Sequence, residues 1–414
     1  MGDITYSATD TPSATSANRN KWFNWHAWLG FKLSILMFII CLTGTLATVS
    51  NEIDWLVNPM LRVQSMEEPI NWQAMYDNFQ QQYPEDTMVF LESPLYSNFA
   101  SIGLVRTSEG TLRRVFFNPY SGEINGDLPW AASVQRMLRD LHRFLLFPVS
   151  FGAYLVSFFG VVLFASLVSA LFVYKKWWRG FFKLRLNRGR RILFGDLHRV
   201  MGLWSLWFLL IISLTGTWYL VERVARATGN GFGSPVPMVE VDPESSTIDN
   251  EFVSVDVAVA AAKAVIPRLK VHYLNLPVRR TSRIQPYVIS GQSDAFMVRP
   301  NANRVYINPL NGEVLEYVDV RDATISRRLM DSVDPLHFGN FAGIGFKLLY
   351  LIFGLITLAM TLTGIWMWLK RNKKRQEKNL AYKNMGWWKQ TSIAIAVIGL
   401  SWGSYTIFSA MSLF

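Results

Sequence analysis

Five long apolar runs divide this 414-residue chain, and they constrain its fold more than any other feature. The runs cover residues 28–50, 144–174, 200–221, 343–369 and 391–413. Each is long enough to cross a bilayer, because a helix needs roughly 20 apolar residues to span about 30 Å of hydrocarbon. Charged residues make up 17% of the chain, against about 25% in a soluble domain. Both observations indicate an integral membrane protein.

Several classes of function are excluded by residues that the sequence lacks. With Cys41 as the one cysteine, the chain can form no intramolecular disulfide, no cysteine-ligated iron–sulfur or zinc site and no covalently attached c-type haem. It has no Walker loop and no glycine-rich dinucleotide fingerprint. The net charge of +11 is concentrated beside the apolar runs, so it indicates membrane topology and contact with anionic lipid, and not a nucleic-acid partner.

The basic residues predict how the spans are oriented. Eight Lys and Arg residues lie in the loop 175–197, and a second basic cluster follows in the loop 370–390. The positive-inside rule places both loops in the cytoplasm, together with the N-terminus. The long polar segments 51–141 and 222–336 then lie outside the membrane, which in a bacterium is the periplasm.

The chain is therefore predicted to alternate between membrane spans and polar segments. Residues 1–20 are predicted to be a disordered cytoplasmic tail, and the segments 51–141 and 222–336 to be mixed α+β modules. The spans are predicted at 21–50, 142–174, 198–221, 337–369 and, as an accessory helix outside the repeat, 391–414.

An internal repeat runs through the first four spans and both outer segments. The sequence RVFFNPYSGE at 114–123 recurs as RVYINPLNGE at 304–313, 190 residues later. Asn-Pro-x-x-Gly between apolar runs is turn chemistry, because proline presets φ and glycine supplies a positive φ. We therefore predict a strand–turn–strand hairpin at both sites and a four-helix repeat as the membrane core.

Four of the five histidines occupy equivalent positions in this repeat. His26 and His198 precede the first and third spans, on the cytoplasmic side of the predicted topology. His142 and His337 precede the second and fourth spans, on the outer side. Two imidazoles from facing helices are the axial ligands of a six-coordinate b-type haem, so the pattern predicts two haems, one held by each pair.

Glycines and cations complete the predicted haem sites. A glycine follows each histidine by 17 or 18 residues, about five turns of continuous helix, which would place both on one helix face. Gly44 and Gly216 are predicted to leave room for the outer haem. Gly160 and Gly354 are predicted to do the same for the inner one. The cations within reach of the haem propionates are Lys32, Arg139, Arg143 and Arg199.

The same residues allow other interpretations. A single interfacial histidine can be an anchor or a pH-sensitive contact, a metal could bind without haem, and glycines also let helices pack closely without any ligand. The fifth histidine, His272, lies in an outer strand near Arg279, Arg280 and Arg283. That basic cluster is either a solvated face or a site for an anionic ligand.

Taken together, these motifs resemble a known family. The paired Asn-Pro-x-x-Gly-Glu hairpins, the His-x-x-x-Gly…Thr-Gly-Thr spans and the Leu-His-Phe-type span starts are similar to those of the PepSY-associated transmembrane proteins. That family includes iron-regulated inner-membrane proteins, among them haem-containing reductases of ferric siderophores. The resemblance covers about residues 21–371. It implies periplasmic PepSY-like modules, b-type haem and reduction of imported ferric chelates.

Two classes of function follow from the residues and the resemblance. The first is an inner-membrane haem b reductase that takes electrons from a cytoplasmic donor, either reduced flavin or a reductase, and reduces a ferric siderophore outside. Iron is then released because hard oxygen chelators hold ferrous iron more weakly. The chelate is expected in a cleft between the two outer modules. The alternative is a non-enzymatic PepSY membrane protein, either a siderophore permease or a regulator of a periplasmic peptidase.

Overall fold

A computed structural model describes residues 14–231, 236–240, 252–280, 283–376 and short pieces between 390 and 401. The chain divides into two compact units. The helical unit contains the described residues of Met1–Thr45, His142–Leu220 and Leu351–Ser401. The sheet unit contains those of Leu46–Leu141 and Val221–Tyr350. Most of the predicted fifth span at 391–414 and most of the basic loop 370–390 lie outside the described residues.

Helices occur in both units. In chain order they are α1 (Ala14–Lys32), α2 (Ser34–Ala47), α3 (Ser50–Val57), α4 (Trp72–Gln82), α5 (Val134–Phe144), α6 (Val149–Val173), α7 (Arg190–Trp204), α8 (Leu206–Ala227), α9 (Val255–Val265), α10 (Ile325–Phe338) and α11 (Gly343–Gln376). Helix α1 begins at Ala14, so the last part of the tail predicted to be disordered is helical, and residues 1–13 lie outside the described chain.

The strands belong to the sheet unit. In chain order they are β1 (Thr87–Glu92), β2 (Ser101–Arg106), β3 (Leu112–Phe117), β4 (Ile124–Pro129), β5 (Val239–Glu240), β6 (Lys270–Asn275), β7 (Arg279–Arg280), β8 (Arg283–Ile284), β9 (Tyr287–Gln292), β10 (Asn303–Ile307) and β11 (Val314–Val318).

Three helices of the described chain are long and apolar enough to cross a membrane, namely α6, α8 and the Gly343–Arg371 part of α11. Helices α1 and α2 add a fourth if the two are counted as one span, although they are bent by 66° at Leu33. At this bend Ser34 Oγ donates to the Phe31 carbonyl at 2.8 Å, a side-chain bond that competes with the helix ladder. The chain is therefore a multi-pass membrane protein.

The predicted histidine–glycine faces do not exist, because a helix break separates the two residues in all four copies. The breaks fall after Lys32, Phe144, Trp204 and Phe338. In the second copy Leu145 and Leu146 adopt φ of 52° and 60°, a left-handed conformation that ends the helix. Each histidine lies on a helix that precedes the span, and each glycine lies on the span. The prediction of a shared five-turn face was wrong.

Three of the predicted glycines lie at close contacts between spans. A Cβ on Gly160 of α6 would lie 2.5 Å from the backbone nitrogen of Thr217 on α8, and 2.6 Å from the carbonyl carbon of Gly216. A Cβ on Gly354 of α11 would clash with Thr45 Oγ1 on α2. These positions therefore need glycine because two helices approach each other there, as small residues allow in membranes. This differs from the prediction that they leave room for a haem.

The two outer segments, predicted as separate modules, share one antiparallel sheet. Its strand order is β11–β10–β9–β6–β1–β2–β3–β4, and the two halves join where Leu91 of β1 faces Leu274 of β6. Helices α4 and α9 contribute Phe79 and Ala262 to the core that covers one face of the sheet. The predicted cleft between two modules is replaced by a continuous sheet with a shared core.

Both Asn-Pro-x-x-Gly motifs form the predicted hairpins, one between β3 and β4 and the other between β10 and β11. In each turn the asparagine N–H donates to the glutamate carbonyl at 2.8 Å, and the glycine N–H donates to the asparagine carbonyl at 2.9 Å. Gly122 and Gly312 adopt φ of 79° and 76°, a conformation that only glycine takes without strain.

The contact at Gly160 leads to a stability prediction. We expect Gly160→Ala to lower the thermal midpoint of the purified protein in detergent, because its Cβ would meet the backbone of α8. Overpacking of this kind costs about 1–3 kcal/mol. Gly30→Ala is the matched control, since nothing lies within 4 Å of a Cβ at that helical glycine. Equal midpoints for the two variants would contradict the close contact between α6 and α8.

Candidate functional site

Two of the predicted histidines face each other in the helical unit. The ring centroids of His26 on α1 and His198 on α7 lie 6.3 Å apart, and their planes are inclined by 72°. These are the two histidines that the repeat pairs with each other. The structure thus brings together one of the two predicted ligand pairs.

Both rings are anchored through Nδ1 to the backbone of another helix. His26 Nδ1 lies 3.0 Å from the carbonyl oxygen of Ser166 on α6, and His198 Nδ1 lies 2.9 Å from that of Met360 on α11. A carbonyl oxygen can only accept, so each Nδ1 carries the proton and donates it. Nε2 is then the nitrogen that keeps its lone pair, which is the form of histidine that binds a metal.

The distance between the rings is suitable for one metal ion bound by both. Two imidazoles that share an ion have ring centroids about 6 Å apart, since each metal–nitrogen bond is about 2 Å long. The observed 6.3 Å matches this value. Among the described residues, no group of three or more His, Cys, Asp or Glu side chains could hold a metal ion. The structure brings two imidazoles together at this place, and a pair of imidazoles can serve as the two axial ligands of a haem iron.

His142 on α5 is anchored in the same way, to α2. Its Nδ1 lies 2.9 Å from the carbonyl oxygen of Ile40. A Cβ on Gly44 would lie 2.6 Å from His142 Cε1, so this glycine makes room for the imidazole itself. Gly364 has the same relation to His198, with a distance of 3.2 Å from its Cβ position to Cε1. Sequence reasoning missed Gly364, although Thr363-Gly364 repeats the Thr43-Gly44 pair.

His337 lies on α10 in the sheet unit, next to Phe338, with ring centroids 5.9 Å apart. The helix ends at Gly339, whose φ of 66° and missing side chain make room for the Tyr350 ring. Tyr350 in turn donates to the Leu336 carbonyl at 2.7 Å. Since His142 belongs to the helical unit, the predicted pairing of His142 with His337 is based on the duplication alone.

The four predicted propionate cations have different surroundings. Arg199 donates to Asp196 at 2.9 Å and to the Lys183 carbonyl at 2.6 Å, and its guanidinium lies over the Tyr174 ring. Lys32 ends α1, and Arg143 is exposed directly after His142. Arg139 is exposed on α5, within electrostatic range of Glu92. Arg199 is therefore engaged in a protein ion pair.

Asp196, two residues before His198, is the centre of a buried ion cluster that sequence reasoning counted only as a charge. Its carboxylate is 1% exposed and accepts from Arg185 Nε and Nη2, both at 2.9 Å, and from Arg199. Hydrogen bonds from Arg185 hold the pKa of Asp196 at about 2. Because this pKa is depressed, the stabilisation is present above the ordinary aspartate range and is lost as the pH falls toward 2. The cluster ties the loop 175–189 to the helix that carries His198.

Most residues of the basic cluster in the sheet unit have partners within that unit. His272 Nδ1 lies 3.2 Å from Ser93 Oγ on the neighbouring strand end. Arg279 lies over the Phe252 ring at 5.7 Å, and Arg283 forms an ion pair with Glu240 at 3.3 Å. The side chain of Arg280 lies outside the described residues. His272, Arg279 and Arg283 therefore each contact another residue of the sheet unit.

Two comparisons with known proteins bear on this site. The family described as the PepSY-associated TM region matches residues 23–371, a range that includes all four paired histidines. The chain is also 27% identical over 257 residues to an uncharacterised protein of Pseudomonas aeruginosa. That alignment covers 57% of this chain and 63% of the relative, so the chain spans less than two thirds of the relative's length.

The Asp196 cluster predicts how the loop 175–189 responds to a single substitution. We expect Asp196→Asn to make this loop several-fold more sensitive to trypsin at pH 7, because a neutral amide leaves Arg185 and Arg199 without their buried counter-charge. The control is Asp294→Asn, which removes an exposed ion pair with Arg268 in the sheet unit. Cleavage of this loop at the same rate in both variants would show that Asp196 does not anchor it.

Proposed function

This chain belongs to the family of the PepSY-associated TM region, and from that premise we propose that it is an inner-membrane b-type haem protein that delivers electrons from the cytoplasm to a ferric siderophore in the periplasm. The observation that carries the proposal is the facing pair of His26 and His198, whose rings are 6.3 Å apart. Haem iron, when bound, supplies reversible one-electron transfer.

His26 and His198 would hold a haem between their two imidazoles. Their Nδ1–H groups donate to the Ser166 and Met360 carbonyls, which fixes the orientation of each ring and its tautomer. Metal-binding histidines commonly have such a second partner, and it raises the basicity of the nitrogen that binds the metal. Both features support haem in preference to a structural role for the pair, because a histidine that only anchors a helix needs no second imidazole opposite it.

The duplication extends the proposal to a second haem, held by His142 and His337. His142 donates from Nδ1 to the Ile40 carbonyl in the same way as His198 donates to that of Met360. This equivalence supports a ligand role for His142. On the positive-inside rule the His26–His198 pair lies at the cytoplasmic side, and the His142–His337 pair lies at the periplasmic side.

The same topology assigns the two faces of the protein to a donor and an acceptor. The basic loops 175–197 and 370–390 face the cytoplasm, where reduced flavin or a reductase would donate electrons. The sheet unit lies in the periplasm, where the ferric siderophore would be reduced. One-electron reduction lowers the affinity of hard oxygen ligands for the iron, so the metal is released without destruction of the chelator.

The proposal predicts both the amount of haem and the residues that hold it. The protein purified in detergent should contain about two haems per chain, removable by acid–acetone and low-spin in both oxidation states. His198→Ala should lose about half of this haem, because one of the two bis-imidazole sites is destroyed. His337→Ala should lose the other half and abolish chelate reduction. The measurements are the pyridine haemochrome ratio and the reduced-minus-oxidised spectrum.

His272→Ala is the matched control for these variants, since His272 is the fifth histidine and bonds to Ser93 in the sheet unit. Its haem content should equal that of the wild type. A colourless wild-type protein would contradict the proposal and favour a non-enzymatic role, as a siderophore permease or as a regulator of a periplasmic peptidase. Equal haem in the wild type and His198→Ala would show that this histidine is not a ligand.

A further inference from the structure

Two hydroxyl groups occupy equivalent positions beside the facing histidines. Thr363 Oγ1 on α11 lies 3.2 Å from His198 Nδ1. Ser169 Oγ on α6 lies 3.2 Å from His26 Nδ1. In both cases the hydroxyl belongs to the residue three positions after the carbonyl to which the same Nδ1 donates. Each Nδ1 therefore faces a carbonyl and a hydroxyl of one helix. At His26 the Ser166 hydroxyl is a further and more distant neighbour, 3.5 Å from Nδ1.

The proton of each hydroxyl has another acceptor. Thr363 Oγ1 donates to the Met360 carbonyl at 2.8 Å, and Ser169 Oγ donates to the Ser166 carbonyl at 2.7 Å. A hydroxyl whose proton points to the carbonyl presents a lone pair to the imidazole. The Nδ1–H group thus has two acceptors, while the opposite tautomer would leave an Nδ1 lone pair against two oxygens. That tautomer is disfavoured, because a polar group facing no suitable partner loses its hydrogen bond.

We propose that Thr363 and Ser169 are positioning residues for the two imidazoles: they keep the proton on Nδ1 and leave Nε2 free to bind haem iron. They would also set the redox potential of the site. An Nδ1–H shared between two acceptors leaves more electron density on the ring, and a more basic axial ligand stabilises ferric over ferrous haem. The inference depends on the proposed haem site, and it adds that the hydroxyls lower its midpoint potential.

A low potential at this site is useful in the proposed direction of electron flow. The His26–His198 pair is assigned to the cytoplasmic side, where electrons enter. A carrier of lower potential at the entry passes electrons to a carrier of higher potential near the acceptor. The two hydroxyls would therefore favour outward transfer.

Thr363→Val is the principal test, because valine has nearly the same shape as threonine and lacks the hydroxyl. We expect the midpoint potential of the His26–His198 haem to rise and its haem affinity to fall by about tenfold, while the spectrum stays low-spin. Ser169→Ala should shift the potential in the same direction. Thr363→Ser should keep the wild-type potential, since serine retains the hydroxyl.

Thr361→Val is the matched control on the same helix. The Thr361 hydroxyl donates to the Thr357 carbonyl at 3.0 Å, which is the same kind of bond within α11. This variant should keep the wild-type potential and haem affinity. A shift as large as that of Thr363→Val would show that any lost hydroxyl on this helix has the effect, and would overturn the inference.

The outcomes separate this inference from the proposed function. An unchanged potential in both Thr363→Val and Ser169→Ala, with His198→Ala still losing half the haem, overturns the positioning role and leaves the haem site intact. A wild-type protein without haem overturns the proposed function itself. If Thr363→Val does not fold, the double variant Ser166→Ala/Ser169→Ala decides the question, because it removes both hydroxyls beside His26 Nδ1. A raised potential supports the inference, and an unchanged one rejects it.

Discussion

A hydrogen bond from a histidine Nδ1 to a backbone carbonyl of another helix is the interaction on which the helical unit depends. It occurs three times among the described residues, from His26 to Ser166, from His142 to Ile40 and from His198 to Met360. Each bond ties a short helix that precedes one span to the side of a different span. The helix breaks make this possible, because a continuous helix would carry the histidine along its own axis and away from its acceptor.

The same bond explains which residues must be small. A residue four positions after an acceptor carbonyl lies about one turn further on the same helix face. Those positions are Gly44, Ala170 and Gly364. At Gly44 an added Cβ would lie 2.6 Å from the His142 ring, so the glycine is required for the imidazole. Gly160 and Gly354 are small for a different reason. Gly160 allows α6 to pack closely on α8, and Gly354 allows α11 to pack closely on α2.

Sequence alone could predict the features that depend on composition and on the repeat: the apolar spans, both Asn-Pro-x-x-Gly hairpins and the equivalence of His26 with His198. It could not predict the breaks at Leu33 and Ser205, because neither carries a proline or a glycine at the break and tertiary contacts decide where the helix ends. The shared sheet was also missed, since the pairing of Leu91 with Leu274 joins strands 183 residues apart that have no local signal for each other. The ion cluster around Asp196 could not be predicted either, because the sequence shows Asp196 only as one acidic residue in a basic loop.

The central proposal is that His26 and His198 would together hold one haem. Electron paramagnetic resonance of the oxidised protein at low temperature tests it most directly, because the signal of ferric haem depends on both axial ligands and on the angle between their planes. With ring planes at 72°, we predict the strongly anisotropic low-spin signal of near-perpendicular imidazoles, and its loss in His26→Ala and His198→Ala. The low-spin signal of the second proposed haem, held by His142 and His337, should remain in both variants. A wild-type protein whose haem is all high-spin, or a total low-spin signal of wild-type intensity in both variants, would contradict the account.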